Sequence, residues 1–263
     1  MSDIRILFSG IWQTTSTLLS QDGSCVVVDP AYFPHELEEI ASVAQSLGHA
    51  EAVVFTHGHW DHVVGHSAFP GVPVYCSAPL AMAIAADNRK PLDKAREFDS
   101  RWYVTRPVPL AWPSEVHGLK EGQPLRAGTL ELRVLSLPGH CADALGLFLE
   151  SDGILIAGDY LSPCEIPFVS DLDAYRATLR RLLAMMKDEI RTVVPGHGPL
   201  LTAGEARSIA RADLAYLDRL AELRTHDDPA AADAIPMPRA ANVIGMREHH
   251  LDNIRAALQS QAV

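Results

Sequence analysis

Thr56-His57-Gly58-His59-Trp60-Asp61-His62 is the stretch on which the reading of this chain turns. It follows the apolar residues 52–55 (Ala-Val-Val-Phe), which have the length and composition of a short buried strand. Three imidazoles and one carboxylate fall within residues 57–62, beside a glycine that lets the loop turn tightly. Imidazole and carboxylate are the donors that zinc and similar borderline cations take. Four donors are too many for one tetrahedral ion that also keeps an open position, so the loop reads as shared between two ions.

Three more candidates occupy a common local context further along. His140 follows residues 135–139, Asp159 follows 154–158 and His197 follows 193–196, each placed after an apolar run and directly after a glycine. Donors at the ends of neighbouring strands can converge on one point, as sites in α/β proteins commonly do.

Around these motifs, strand-length apolar runs alternate with helical periods. Residues 4–8, 17–19 and 25–28 read as opening strands. Residues 34–47 read as a helix with Leu37, Ile40, Ala41, Ala44 and Leu47 on one face and Gly48 as its stop. Residues 72–76 read as a strand leading to a helix at 79–86, and further strands are expected at 130–137, 145–149, 154–157 and 193–194. Ser170, with Asp173 three residues on, is the expected N-cap of a helix to about Lys187. Thr202 with Glu205 forms a capping box for a helix to about Arg224. A loop with Pro229, Pro236 and Pro238 leads to a last helix over 242–258. Residues 87–116 carry Trp102, Tyr103 and Trp112, with Pro107, Pro109 and Pro113 and basic residues such as Arg89, Lys90, Lys94 and Arg96, without a clean period, and read as an insert or lid. The whole is expected to be one domain, 1–263, with that insert and a helical extension over about 203–263. Sheets covered by helices fit this order better than an all-α or all-β protein.

Bulk composition limits the partners. The chain has 263 residues, is 48% hydrophobic and carries a formal net charge of −11. Such an acid balance argues against nucleic acid as a partner. No apolar run reaches about 18 residues, which argues against a membrane span. Cys25, Cys76, Cys141 and Cys164 are scattered and read as reduced thiols, and no leader pattern precedes residue 5, so the expected location is the cytoplasm.

The order HxHxDH at 57–62, Pro138-Gly139-His140, Gly158-Asp159 after an apolar strand, and Pro195-Gly196-His197-Gly198 resembles the metallo-β-lactamase-fold superfamily over roughly residues 1–200. The resemblance implies an α/β fold, an αβ/βα four-layer sandwich with metals at the sheet edge. It implies that His57, His59 and His140 hold a first metal, that Asp61, His62 and His197 hold a second, and that Asp159 bridges them. Asp29 matches the family's aspartate that supports the ligand loop.

The implied activity is metal-dependent hydrolysis of an ester, lactone, thioester or phosphodiester in a small-molecule substrate. Two zinc ions per chain are expected, with iron or manganese as alternatives. Paired cations lower the pKa of a shared water, and Asp61 would orient it. His59 in place of glutamate argues against the oxygen-reducing diiron branch. Asp159 stands where β-lactamases usually carry a cysteine or serine, and residues 160–165 lack the glyoxalase II signature. The motif resembles the glyoxalase II, lactonase and phosphodiesterase branches, which use a bridging aspartate. Two other readings stay open: a single-iron sulfur dioxygenase of the same fold, and a metal-binding module with little turnover. Homodimer formation is also left open.

Around the centre, Tyr160 is expected to donate to a substrate oxyanion. Trp60, Phe168 and Trp12 are candidate pocket walls, and His249 and His250 candidate caps. Cys141 and His66 are expected to be bystanders. The insert 87–116 and the last helix are expected to form the substrate pocket together.

Overall fold

The computed structural model describes residues 2–223 and 234–259. Arg224 and Pro229, read from the sequence as a helix end and a loop residue, lie outside them. Twelve strands among the described residues form two sheets of six. The first sheet holds β1 (Asp3–Phe8), β2 (Thr15–Gln21), β3 (Ser24–Val28), β4 (His49–Val54), β5 (Val74–Ser77) and β6 (Val116–Leu119), in that order. The second holds β7 (Pro124–Ala127), β8 (Leu130–Ser136), β9 (Leu145–Leu149), β10 (Ile154–Ile156), β11 (Thr192–Val194) and β12 (Leu201–Thr202), with neighbours again consecutive. The parallel pairs are β3–β4, β4–β5, β5–β6 and β10–β11.

The period-2 alternation of each strand divides its side chains between two cores. Val26 and Val28 face inward with Leu19, Ala52 and Val54. They meet Leu132, Val134, Leu145, Leu147 and Ile156 of the second sheet. Cys25, Val27, Val53 and Phe55 face outward, against Leu37, Ile40 and Ala44 of α1 (Pro34–Leu47) and Leu80 and Ile84 of α2 (Ala78–Ala85). On the far side, Leu135, Phe148, Leu155 and Val193 pack under α4 (Leu172–Asp188), α5 (Ala203–Leu223) and α6 (Met246–Gln259). The order helix, sheet, sheet, helix is the expected four-layer αβ/βα sandwich. Each fully buried Leu or Val in these layers contributes about 1.5–3 kcal/mol relative to exposure.

Several local expectations change. Residues 87–116 contain a helix, α3 (Lys90–Arg101), which buries Leu92, Ala95 and Asp99. Asp99 accepts from Arg106 Nε at 2.6 Å within the insert and from the Tyr32 hydroxyl at 2.8 Å, and the Tyr32 bond fastens the insert to the loop after β3. The α4 cap is Asp171, whose carboxylate accepts from the Ala174 amide at 3.0 Å. The Ser170 hydroxyl donates instead to the Gly139 carbonyl. The Thr202–Glu205 box forms as read, with the Glu205 carboxylate accepting from the Thr202 amide at 2.8 Å. The last helix starts at Met246, four residues later than the sequence pattern suggests. No described helix is long and apolar enough to cross a membrane.

Candidate metal centre

Strands β8, β10 and β11 run the same way, because β8 and β10 are each antiparallel to β9 and β10 is parallel to β11. Their C-terminal ends therefore share one edge, and His140, Asp159 and His197 sit just beyond them. The 56–62 loop leaves β4 toward the same edge. Two backbone bonds close the sheets there: Leu145 N–H to the Thr56 carbonyl at 2.8 Å, and Thr15 N–H to the Gly196 carbonyl at 2.7 Å. Two of the flanking glycines are forced. A Cβ at Gly196 would collide with the Asp159 carboxylate, and Gly139, at φ 129°, lies against the Tyr175 backbone.

All seven sequence candidates are brought together. Donor atoms of His57, His59, His140 and Asp159 lie within 4.8 Å of one another, and so do those of Asp61, His62 and His197. Each of four rings is held by its far nitrogen. Nδ1 of His57 faces the Thr56 hydroxyl at 3.0 Å, that of His62 faces Asp29 at 2.9 Å, that of His140 faces the Phe168 carbonyl at 3.1 Å, and that of His197 faces the Trp12 carbonyl at 3.2 Å. Asp29 also accepts from the Thr56 amide and hydroxyl at 2.8 and 2.6 Å, the supporting role its position suggests. Such outer contacts fix ring orientation and leave Nε2 free to ligate.

The four Nε2 atoms point at Asp159. Oδ2 lies 3.3 Å from His57 and 3.2 Å from His140, while Oδ1 lies 3.2 Å from His62 and 3.4 Å from His197. His57 Nε2, His62 Nε2 and Asp159 Oδ1 are buried without a hydrogen-bond partner. Buried polar atoms left unsatisfied are costly, and a cation between these donors would satisfy all three. The donor set therefore fits divalent metal.

The electrostatics agree. Burial lowers the His59 ring to about 2, helped by His57 and His140, so it is a neutral donor. Burial would also lower His62 and His197, but Asp61 and Asp159 outweigh it. His62 stands well above the usual value and His197 is pushed up to about 9. Burial would raise Asp159, yet His62, His57 and His197 hold it well below the usual range. Two carboxylates held low among histidines make the centre attractive to a cation.

The remaining candidates divide. Tyr160 does not face a substrate. It is fully buried, its hydroxyl donates to the Pro138 carbonyl at 2.7 Å and accepts from the His140 amide at 3.1 Å, and it supports the His140 loop from beneath. His250 is likewise buried, paired with the Tyr216 hydroxyl at 2.8 Å. Cys141 stays a protonated thiol, since burial and then Asp143 push it up. His66 lies outside both donor groups.

A cleft beside the centre is lined by Trp12, Gln13, Phe168, Met246, His249 and their neighbours. Phe168 and His249 stack at 3.8 Å. Met246 and His249 of the last helix thus line this cleft. No residue of 87–116 lines this cleft; Phe98 of that segment packs on Trp60 at 5.0 Å. Glu165, which sequence reasoning missed, also lines the cleft, its Oε2 3.8 Å from His197 Nε2. Burial raises it to about 7. No motif marks Glu165; only the turn after Asp159 brings it there.

Fold and site together define a metal-binding αβ/βα sandwich. The family model described as "Metallo-beta-lactamase superfamily" matches residues 9–197, and the chain belongs to that superfamily. A probable metallo-hydrolase of Streptococcus pyogenes is 26% identical over 194 residues, 70% of this chain and 78% of that protein. A hydroxyacylglutathione hydrolase of Methylococcus capsulatus is 27% identical over 165 residues, 62% of this chain and 54% of that one. Among solved structures, a metallo-beta-lactamase family protein from Thermus thermophilus superposes with a TM-score of 0.69 at 18% identity, covering 99% of this chain and 93% of that one.

Proposed function

We propose that this metal-dependent hydrolase holds two divalent ions and cleaves an ester, lactone, thioester or phosphodiester bond of a small molecule. One observation carries the two-metal reading: Asp159 turns Oδ2 to His57 and His140 and Oδ1 to His62 and His197. A carboxylate split in this way can serve two cations at once. In this reading His57, His59 and His140 would hold one ion and Asp61, His62 and His197 the other, with Asp159 placed to serve both. The names of the relatives support the hydrolase class.

When bound, paired divalent ions supply a water of lowered pKa and a Lewis acid for the electrophile. The protein supplies orientation. Asp61 Oδ2, 3.3 Å from His62 Nε2 and within 3.4 Å of the Thr14 hydroxyl, faces the centre and orients the attacking water. Asp29, Thr56 and the Trp12 and Phe168 carbonyls keep the rings from turning as protons move. The nitrogen-rich donor set favours zinc, with iron and manganese as alternatives.

The test pairs metal content with turnover. Purified protein should carry two divalent ions per chain, D159A should lose at least one, and the loaded protein should hydrolyse a member of a panel of lactones, thioesters, esters and phosphodiesters. One iron per chain with oxygen uptake on a persulfide would replace this reading with the dioxygenase. Two metals with no turnover on any substrate would leave a binding module.

A further inference from the structure

Glu165 is a carboxylate that the proposed chemistry does not use. Its side chain is 10% exposed, and no described residue hydrogen-bonds to its oxygens. The nearest charged partner, His197 Nε2 at 3.8 Å, is committed to the metal centre in the reading above. A buried carboxylate whose oxygens accept no hydrogen bond is expensive to keep, so its persistence beside an open cleft asks for a ligand.

The cleft tells what kind of ligand. Its described lining includes the indole of Trp12, the ring of Phe168, the imidazole of His249, the thioether of Met246 and the apolar Ile244. Glu165 is the only acidic side chain in that lining, and no lysine or arginine accompanies it. Trp12 is 54% exposed and braced edge-on by Trp60 at 5.3 Å, so part of its surface is open to the cleft. Aromatic rings around one carboxylate are the means by which proteins hold ammonium groups, since ring quadrupole and charge attract the same cation. A carboxylate or phosphate on the substrate would instead meet Glu165 as a like charge. The net charge of −11 biases approach in the same direction.

We propose that Glu165 is a specificity-determining residue, and that with Trp12, Phe168 and His249 it selects substrates carrying an ammonium group on an apolar arm next to the scissile bond. The kinetic part of this proposal rests on the hydrolase reading; the binding part does not.

Both parts can be measured on the metal-loaded protein. The kinetic arm compares two isosteric thioesters of one acid, one with a trimethylammonium arm (a thiocholine ester) and one with a tert-butyl arm (a 3,3-dimethylbutyl thioester). The ratio of their kcat/KM values should favour the cation by about tenfold or more and fall toward one in E165Q. The binding arm titrates tetramethylammonium into wild type and E165Q and follows tryptophan fluorescence. Saturable binding should appear in wild type and weaken about tenfold in the variant. Metal content is measured on both proteins. An unchanged ratio in E165Q, equal tetramethylammonium binding in the two proteins, or no saturable binding in wild type would overturn the proposal. Loss of a metal ion from E165Q would overturn it too and make Glu165 a ligand. Failure of both thioesters to turn over, with tetramethylammonium binding intact and sensitive to E165Q, would count against the hydrolase reading and for this one.

Discussion

The Asp29 carboxylate lies 2.9 Å from Nδ1 of His62, while the same group accepts both the amide and the hydroxyl of Thr56. One side chain at the end of β3 therefore sets the start of the metal loop and the tautomer of a ring six residues further on. Removing such an outer partner typically costs 10–100-fold in metal affinity. D29N keeps the shape and removes the charge. It should weaken metal binding by about 10–100-fold in a chelator competition. Affinity equal to wild type would mean that the loop is held by its backbone bonds alone.

Asp61 sits on the opposite side of His62, with Oδ2 3.6 Å from His197 Nε2. In the proposed function it both ligates and orients water, two jobs that asparagine performs poorly because it carries no charge. D61N should reduce kcat by about a hundredfold or more while circular dichroism and melting stay near wild type. A turnover within a few-fold of wild type, on a confirmed substrate, would take Asp61 out of the chemistry.

Much of this was legible in the chain because metal donors cluster in local runs. Residues 56–62 and the three glycine-preceded donors are each readable without a fold, and the fold merely gathers them. The less legible parts have a physical reason. Helix α3 is dense in charge of both signs, which hides the buried face of Leu92 and Ala95. Strands β6 and β7 are four residues each at sheet edges, too short for a period to show. Ser170 and Asp171 are both good caps, and only the Gly139 carbonyl, distant in sequence, draws Ser170 away. Tyr160 and Glu165 flank the same turn, yet one points under the sheet and the other into the cleft. Nothing in their spacing separates them.

That placement of Tyr160 makes a prediction opposite to the oxyanion role. Y160F removes the bond to the Pro138 carbonyl and leaves the buried His140 amide without its acceptor. It should lower stability by about 1–3 kcal/mol and slow turnover only as far as His140 shifts. If thermal stability is unchanged while kcat falls by orders of magnitude, the phenol acts in chemistry after all.

The Asp99–Arg106 pair should matter more than a surface ion pair. Both side chains are nearly buried, at 11% and 8% exposed, and Arg106 also donates to the Tyr32 carbonyl and lies over its ring at 4.5 Å. Deleting one member of a buried pair leaves the other charge uncompensated, at a cost of about 3–5 kcal/mol. D99A should show that loss in denaturant unfolding. The charge-neutral, shape-matched double variant D99N/R106Q should recover part of it. A D99A loss under 1 kcal/mol would mean that water reaches the guanidinium.

Glu36 gives the clearest pH prediction, since it lies apart from the metal donors. Burial would raise its carboxyl, but the Ser9 hydroxyl and the amides of Gly10, Tyr32 and Phe33 all donate to it and together hold it below the usual glutamate value. These bonds tie the first turn of α1 to the 9–10 loop, which neighbours Trp12 at the cleft. A carboxyl with a depressed folded-state value stabilises the fold fully above its unfolded value. That stability drains away as pH falls through the folded value. Wild type should therefore lose stability on acidification from neutral through the range below pH ~4.5. E36Q should start less stable at pH 7 and show a shallower loss over the same range. Parallel stability curves for the two proteins across that range would show that Glu36 carries no linked proton, and that its four donors act on the neutral form equally well.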